Sequence, residues 1–155
     1  MANRPRLLYF DTSVYGGCFD AEFAADSRRV IEYVEAGLVT ALIRTLVLDE
    51  LSGAPAPVIE LVTRLPRRRV EVVELTLAAR ELADEYMRTA RLAARMHNDA
   101  LHVAVATIAR ADALVSWNFH DLVRLDRMSE FNSVNLTNRY APLSIVSPQE
   151  VRFDE

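Results

Sequence analysis

Lysine is missing from this 155-residue chain: all eighteen of its cationic side chains are arginine. Coding bias produces such a skew, and so does a need for phosphate contacts, which suit the planar guanidinium fork; composition alone does not separate the two. Cysteine is nearly absent as well. With Cys18 alone, the chain forms neither an intrachain disulfide nor a cysteine zinc cluster. No apolar run approaches the ~20 residues of a membrane-spanning helix. The short run Leu7–Phe10 before Asp11 is too brief for a signal-peptide core. These absences predict a cytoplasmic protein with no membrane contact. The three histidines do not form an HExxH spacing, which argues against a zinc hydrolase. A surplus of positive charge is lacking too: the net charge of −4 argues against a protein that coats nucleic acid non-specifically. It leaves room for a nuclease, whose acidic site offsets local basic patches. Internal repeats, low-complexity tracts and linkers are absent, so residues 1–155 are expected to form one domain.

What is present alternates between strand-like and helix-like segments. Leu7–Phe10 is short, apolar and closed by a turn signal, which predicts a buried strand. Apolar residues recur at helical spacing from about Asp20 to Ala36, with Gly37 where a helix-terminating glycine belongs. Val39–Ile43 is a second strand candidate. A helix opens over Leu46–Leu51, and Pro55 and Pro57 mark a break or the start of a further helix running to Leu65. Val70–Val73 predicts a strand and Leu77 to about Arg91 a helix. Asn98–Arg110 is apolar nearly all round, as a buried helix is. Ala113–Ser116 and Leu143–Val146 complete the strands. Strands alternating with helices predict an α/β fold with a parallel sheet covered on both faces.

Functional groups in open parallel sheets gather beyond the carboxyl ends of the strands. Asp11 ends the first strand, and Gly16 and Gly17 are expected to let the backbone turn sharply after it. Glu50, in "TLVLDEL", is expected in the early turns of a helix. Asp99 follows Asn98, a good N-cap, and so falls in the first turn of the buried helix. Each acid has a plainer use. Asp11 suits a helix or turn cap, Glu50 a solvated surface, and Asp99 the positive end of a helix dipole, worth ~0.3–1 kcal/mol. Their combination beside apolar segments is what sets them apart, because an unpaired charge is expensive there. Were they to converge, two bare carboxylates ~4 Å apart would repel by ~4 kcal/mol at an effective dielectric of about 20. A raised pKa, an arginine or a divalent cation relieves that. Oxygen-only ligands suit Mg²⁺ or Mn²⁺, and a water on such a metal facing a phosphodiester is the core of metal-assisted hydrolysis.

The stretches "YFDTSV", "TLVLDEL", "NDALHVAVAT" and "LVSWNF", in this order, resemble the PIN-domain endoribonucleases, in particular the VapC-like toxins of prokaryotic toxin–antitoxin pairs. The tail "NSVNLTNRYAPLSIVSPQEV" resembles a subgroup of that family, so the likeness spans nearly the whole chain. The resemblance implies a three-layer α/β/α fold with a central, mainly parallel sheet, and an acidic cleft holding Mg²⁺ or Mn²⁺. It implies Asp11 and Asp99 as the principal metal ligands with Glu50 as a further acid, RNA as substrate, a homodimer, and a cognate antitoxin. The sequence departs from the family at "SWNFHD": Asn118 stands where a fourth acid is usual. Asn118 can orient a water or ligate through its carbonyl but carries no charge. Asp121 is the candidate replacement, at a position not typically acidic in that subgroup.

Thr12, Ser13 and Ser116 carry hydroxyls that can orient Asp11 or a metal-bound water, or bond their own backbone instead. His102, three residues after Asp99, shares its helix face; packing is the preferred use and proton transfer the alternative. His97 and His120 are expected at the surface or cleft rim. Arg64, Arg67, Arg68 and Arg69 cluster around Pro66. Arg88, Arg91 and Arg95 repeat at helical spacing towards Asp99, forming either an RNA-guiding stripe or a solvated face paired with Glu81, Asp84 and Glu85. Trp117 and Tyr15 are candidates for base stacking, with core or dimer packing preferred. Haloacid-dehalogenase-type phosphotransferases also begin on a strand ending in Asp. They need a second aspartate where Ser13 stands and a downstream lysine, so the rival is weak. A PIN-fold interaction module with impaired catalysis is the other alternative, motivated by Asn118.

Overall fold

A computed structural model describes residues 5–153. Five strands form one wholly parallel sheet: β1 (Arg6–Phe10), β2 (Val39–Arg44), β3 (Val70–Val73), β4 (Ala113–Val115) and β5 (Ser144–Val146). Their spatial order is β3-β2-β1-β4-β5, so the chain builds outward from β1 on one side and then on the other. The crevice at the carboxyl end of β1 is therefore the place where connections diverge. Seven α-helices cover the sheet: α1 (Thr12–Gly17), α2 (Ala24–Glu35), α3 (Thr45–Ser52), α4 (Ala56–Thr63), α5 (Leu77–Thr89), α6 (His97–Ile108) and α7 (Leu125–Thr137).

Strand alternation sorts the core into two halves. Leu8 and Phe10 of β1, Ala41 and Ile43 of β2, and Ala113 and Val115 of β4 pack with α1 to α4. Tyr9, Leu42 and Leu114 point the opposite way and pack with α5 to α7. The result is the three-layer α/β/α architecture, with α6 buried along most of its length. None of the helices is long and apolar enough to cross a membrane, among the described residues.

Two helices depart from the sequence reading. The stretch after Asp11 is a short helix instead of a glycine-driven turn, with Gly16 and Gly17 both inside it. Gly17 is required by packing: a Cβ built there would lie 2.5 Å from Ser27 Oγ and 2.9 Å from Trp117 Nε1. Those two groups are joined by a 2.8 Å hydrogen bond from the indole N–H. The helix α7 falls in a segment without an apolar stripe clear enough to predict it; Phe131 and Val134 anchor it. Its Asn135 is fully buried and bonded to Tyr86 and Asn132.

Substituting Gly17→Ala is expected to destabilise the fold by ~1–3 kcal/mol through overpacking. At Gly16 a Cβ meets nothing within 4 Å, and Gly16→Ala is expected to be neutral or to stabilise by up to ~1 kcal/mol. Urea unfolding of both variants checks this; equal effects would contradict the packing explanation.

Candidate active site

The last residue of β1 hands the chain to Asp11, which is still extended (φ −80°, ψ 176°) and caps α1 by accepting from the Ser13 N–H at 3.1 Å. Capping and a functional role are therefore not alternatives at this position. By strand alternation Asp11 shares the face of Tyr9, towards α6. Its Oδ1 also accepts from the Ser13 hydroxyl at 2.5 Å, and its Oδ2 from the Ser116 hydroxyl at 2.5 Å, reaching across from the end of β4. The carboxyl is 9% exposed and forms no ion pair among the described residues. Burial pushes its pKa up, and the Ser116 and Ser13 hydrogen bonds pull part of the way back.

Asp99 lies in the first turn of α6, half-buried. That helix starts at His97 with Met96 at its cap, so Asn98 is inside the helix and its amide lies 3.4 Å from His102 Nε2. Burial raises the Asp99 pKa to about 6, with the charges of Asp121 and Asp11 adding to the rise and Arg95 opposing it. The structure thus brings Asp11 and Asp121 within electrostatic reach of Asp99. Asp121 differs in having a cation: Arg95 Nη1 donates to it at 2.6 Å and His120 Nδ1 lies 2.9 Å away. Arg95 accordingly holds its carboxyl down, at about 2. Asn118 spends its side-chain oxygen on the Asp121 N–H at 3.0 Å and gives its own N–H to the Ser116 hydroxyl at 2.9 Å. It shapes the loop that carries Asp121.

Glu50 sits in the later part of α3, not its early turns, and is exposed, accepting from the Thr12 hydroxyl. It adjoins the site from the opposite helical layer without joining the aspartates. Among the described residues, no three His, Cys, Asp or Glu side chains are already assembled to hold a metal ion.

Other sequence candidates resolve differently. His102 is buried between Tyr9 and Asn98, its Nδ1 2.6 Å from the Tyr9 hydroxyl. Burial, with the charge of Arg44, lowers its pKa to about 4, so it is neutral at physiological pH. Trp117 packs on Phe23 and Tyr15 is fully enclosed, leaving neither free to stack on a base. The arginine stripe is broken: α5 ends at Thr89, Arg91 adopts a left-handed backbone (φ 51°), and a 3-10 turn, Ala94–Met96, precedes α6. Arg88 pairs with Glu85, while Arg95 belongs to Asp121. Sequence reasoning passed over Arg44, the last residue of β2, which is 6% exposed on the same face as Asp11. Its signal was an arginine closing the apolar run "ALIR".

Neither a family model nor a curated protein matches the chain by sequence. Solved structures do match it. A chain of a toxin–antitoxin complex from Klebsiella pneumoniae aligns at TM-score 0.54 and 19% identity, covering 74% of this chain and 88% of that one. VapBC2 from Rickettsia felis, bound to a DNA fragment from its promoter, gives 0.57 and 14%, covering 91% and 98%. The sarcin–ricin-loop-cleaving toxin VapC20 of Mycobacterium tuberculosis gives 0.51 and 17%, covering 69% and 86%. At such identities the likeness is one of fold. The chain has a PIN-like three-layer α/β/α fold, the fold of VapC-like toxins.

Among the described residues Asp99 makes no side-chain hydrogen bond that an asparagine would lose, and its raised pKa means that the folded state loses stability as pH rises from about 4 through about 6. Asp99→Asn is therefore expected to melt higher than the parent at pH 7.5, by roughly 2–4 °C per kcal/mol relieved. The gap should narrow as pH falls through about 6 and close only below about pH 4, where the folded and the unfolded carboxyl are both largely neutral. A lower melting temperature at pH 7.5 would contradict this electrostatic reading.

Proposed function

We propose that the chain is a metal-dependent endoribonuclease, the toxin of a toxin–antitoxin pair, with Asp11 and Asp99 as principal ligands to Mg²⁺ or Mn²⁺. The observation that carries this is the state of those two carboxylates. Both sit at the switch point of a parallel sheet, both are raised by burial, and neither has the arginine partner that Asp121 has. A divalent cation is the partner that would relieve them, and an all-oxygen donor set suits Mg²⁺ or Mn²⁺ over zinc. The side chains are not closed on one point; Asp99 and the exposed Glu50 are the acids that would join Asp11 in holding the metal.

When bound, the metal would supply an activated water and stabilise charge developing on the phosphate. The chain's own residues do the positioning. Ser13 and Ser116 fix both oxygens of Asp11 in orientation, and Thr12 directs Glu50. Asn118 sets the loop that brings Asp121 near, and Arg95 keeps Asp121 ionised. The aspartate–arginine pair thus stands in for a missing fourth acid as part of the site's electrostatics. A cognate antitoxin as partner and a second copy of the chain as dimer mate belong to this reading; the solved toxin–antitoxin assemblies that share the fold support the first.

The test is incubation of purified, antitoxin-free protein with cellular RNA in Mn²⁺ or Mg²⁺, in EDTA, and beside the Asp11→Asn variant. Discrete fragments are expected only with metal, with cleavage by the variant down at least about 100-fold. Intact RNA in every lane, together with no metal uptake by calorimetry, would overturn the nuclease and favour the interaction module that Asn118 suggests.

A further inference from the structure

Arg44 closes β2 and caps α3, the helix that carries Glu50. The pairing of β1 with β2 ends at Tyr9 opposite Leu42, so two residues on, Asp11 and Arg44 leave neighbouring strand ends on one face. The guanidinium lies beside the Tyr9 hydroxyl, which also feels the charges of Asp11 and Glu50. Despite this company Arg44 forms no ion pair among the described residues, and its buried Nη1 has no hydrogen-bond partner. The nearby acids are bonded to hydroxyls instead: Asp11 to Ser13 and Ser116, Glu50 to Thr12.

A buried guanidinium with an empty donor and no countercharge is costly, and native proteins seldom keep one without use. Its chemistry narrows what would fill it. The free donor suits an anionic oxygen, the arginine fork suits phosphate geometry, and Arg44 is buried at the strand ends beside Tyr9, close to carboxylates that would otherwise repel a polyanion. We propose that Arg44 is a phosphate ligand of this site, its free Nη1 donating to a non-bridging oxygen of the RNA backbone. The choice of RNA as the phosphate's source rests on the endoribonuclease reading above; the anion site itself does not. Arg44 holds the backbone in place beside the carboxylates and takes no part in the attack on phosphorus. The competing role is that of an internal counter-ion for Tyr9 and the acids.

Two probes separate these roles in the parent, Arg44→Lys and Arg44→Met, with Arg88→Gln as an exposed control. The first is a labelled single-stranded RNA oligomer of mixed sequence, followed by fluorescence polarisation across a salt series in EDTA so that nothing is cut. The second is inorganic phosphate, followed on the Arg44 guanidinium by ¹⁵N NMR. Arg44→Met is expected to weaken RNA binding about tenfold. The slope of log affinity against log salt should fall by ~0.7, the share of one phosphate contact on a single strand. Arg44→Lys should lie between it and the parent, Arg88→Gln should match the parent, and phosphate should shift the Arg44 signal. Parent-like RNA affinity and salt slope in both Arg44 variants, with an Arg44 signal unmoved by phosphate, would overturn the proposal and leave the counter-ion role. If the methionine variant does not fold, Arg44→Lys and the phosphate titration decide alone. A parent that binds no RNA while phosphate still moves the Arg44 signal would overturn RNA as the source of the phosphate and keep the anion site; the endoribonuclease reading stands or falls on the cleavage test above.

Discussion

A carboxylate buried without a countercharge is the constraint on which the rest of the site depends. Asp11 is placed by the sheet: it follows the central strand, continues its extended backbone, and starts α1 by capping it. Moving it would unmake the cap and the crossing contact with β4 together, because Ser13 and Ser116 both end on its oxygens. The hydroxyls orient the group and soften its burial but supply no charge. Its charge also bears on Asp99, whose pKa is raised to about 6 by its own burial first, then by the charges of Asp121 and Asp11.

The surrounding residues divide by how they meet the same problem. Asp121 solves it locally with Arg95 and remains ionised. His102 solves it by staying neutral, locked between Tyr9 and Asn98. Asp11 and Asp99 are left unsolved, and so is Arg44 in the opposite sense. Acids that lack a cation beside a cation that lacks an acid form a site short of ligands of both signs, which is what a metal ion and a phosphate would bring. These unpaired groups gather at the end of the central strand, while the cores on either face of the sheet are apolar.

Much of this was legible in the sequence, and the parts that were not share a physical cause. Leu7–Phe10 and Val39–Ile43 announced themselves because short buried strands are largely apolar, Val70–Val73, an exposed edge strand, by its β-branched valines, and α6 because it is covered on most sides. The three principal acids stood out as charges ending or adjoining such runs. The short helix α1 stayed hidden because Thr, Ser and two glycines are turn residues by local preference; here packing against Ser27 and Trp117, which no local pattern records, excludes a side chain at Gly17. The helix α7 stayed hidden because its buried face includes Asn135, whose partners on Tyr86 and Asn132 exist only in the folded chain. Arg44 and the Arg95–Asp121 pair were missed for the same reason: burial and pairing across 26 or more residues are properties of the fold.

The most direct test of the central claim, that the aspartates at the end of β1 and the start of α6 wait for a cation, is thermal unfolding of metal-stripped protein at pH 7.5 through a titration with Mn²⁺ or Mg²⁺. A ligand that binds only the folded state stabilises it by about 2.7 kcal/mol at one hundred times its dissociation constant. The account predicts a melting temperature that climbs steadily with metal for the parent and stays flat for Asp11→Asn. A parent whose melting temperature does not move at millimolar metal, or a variant that rises as steeply as the parent, would contradict it.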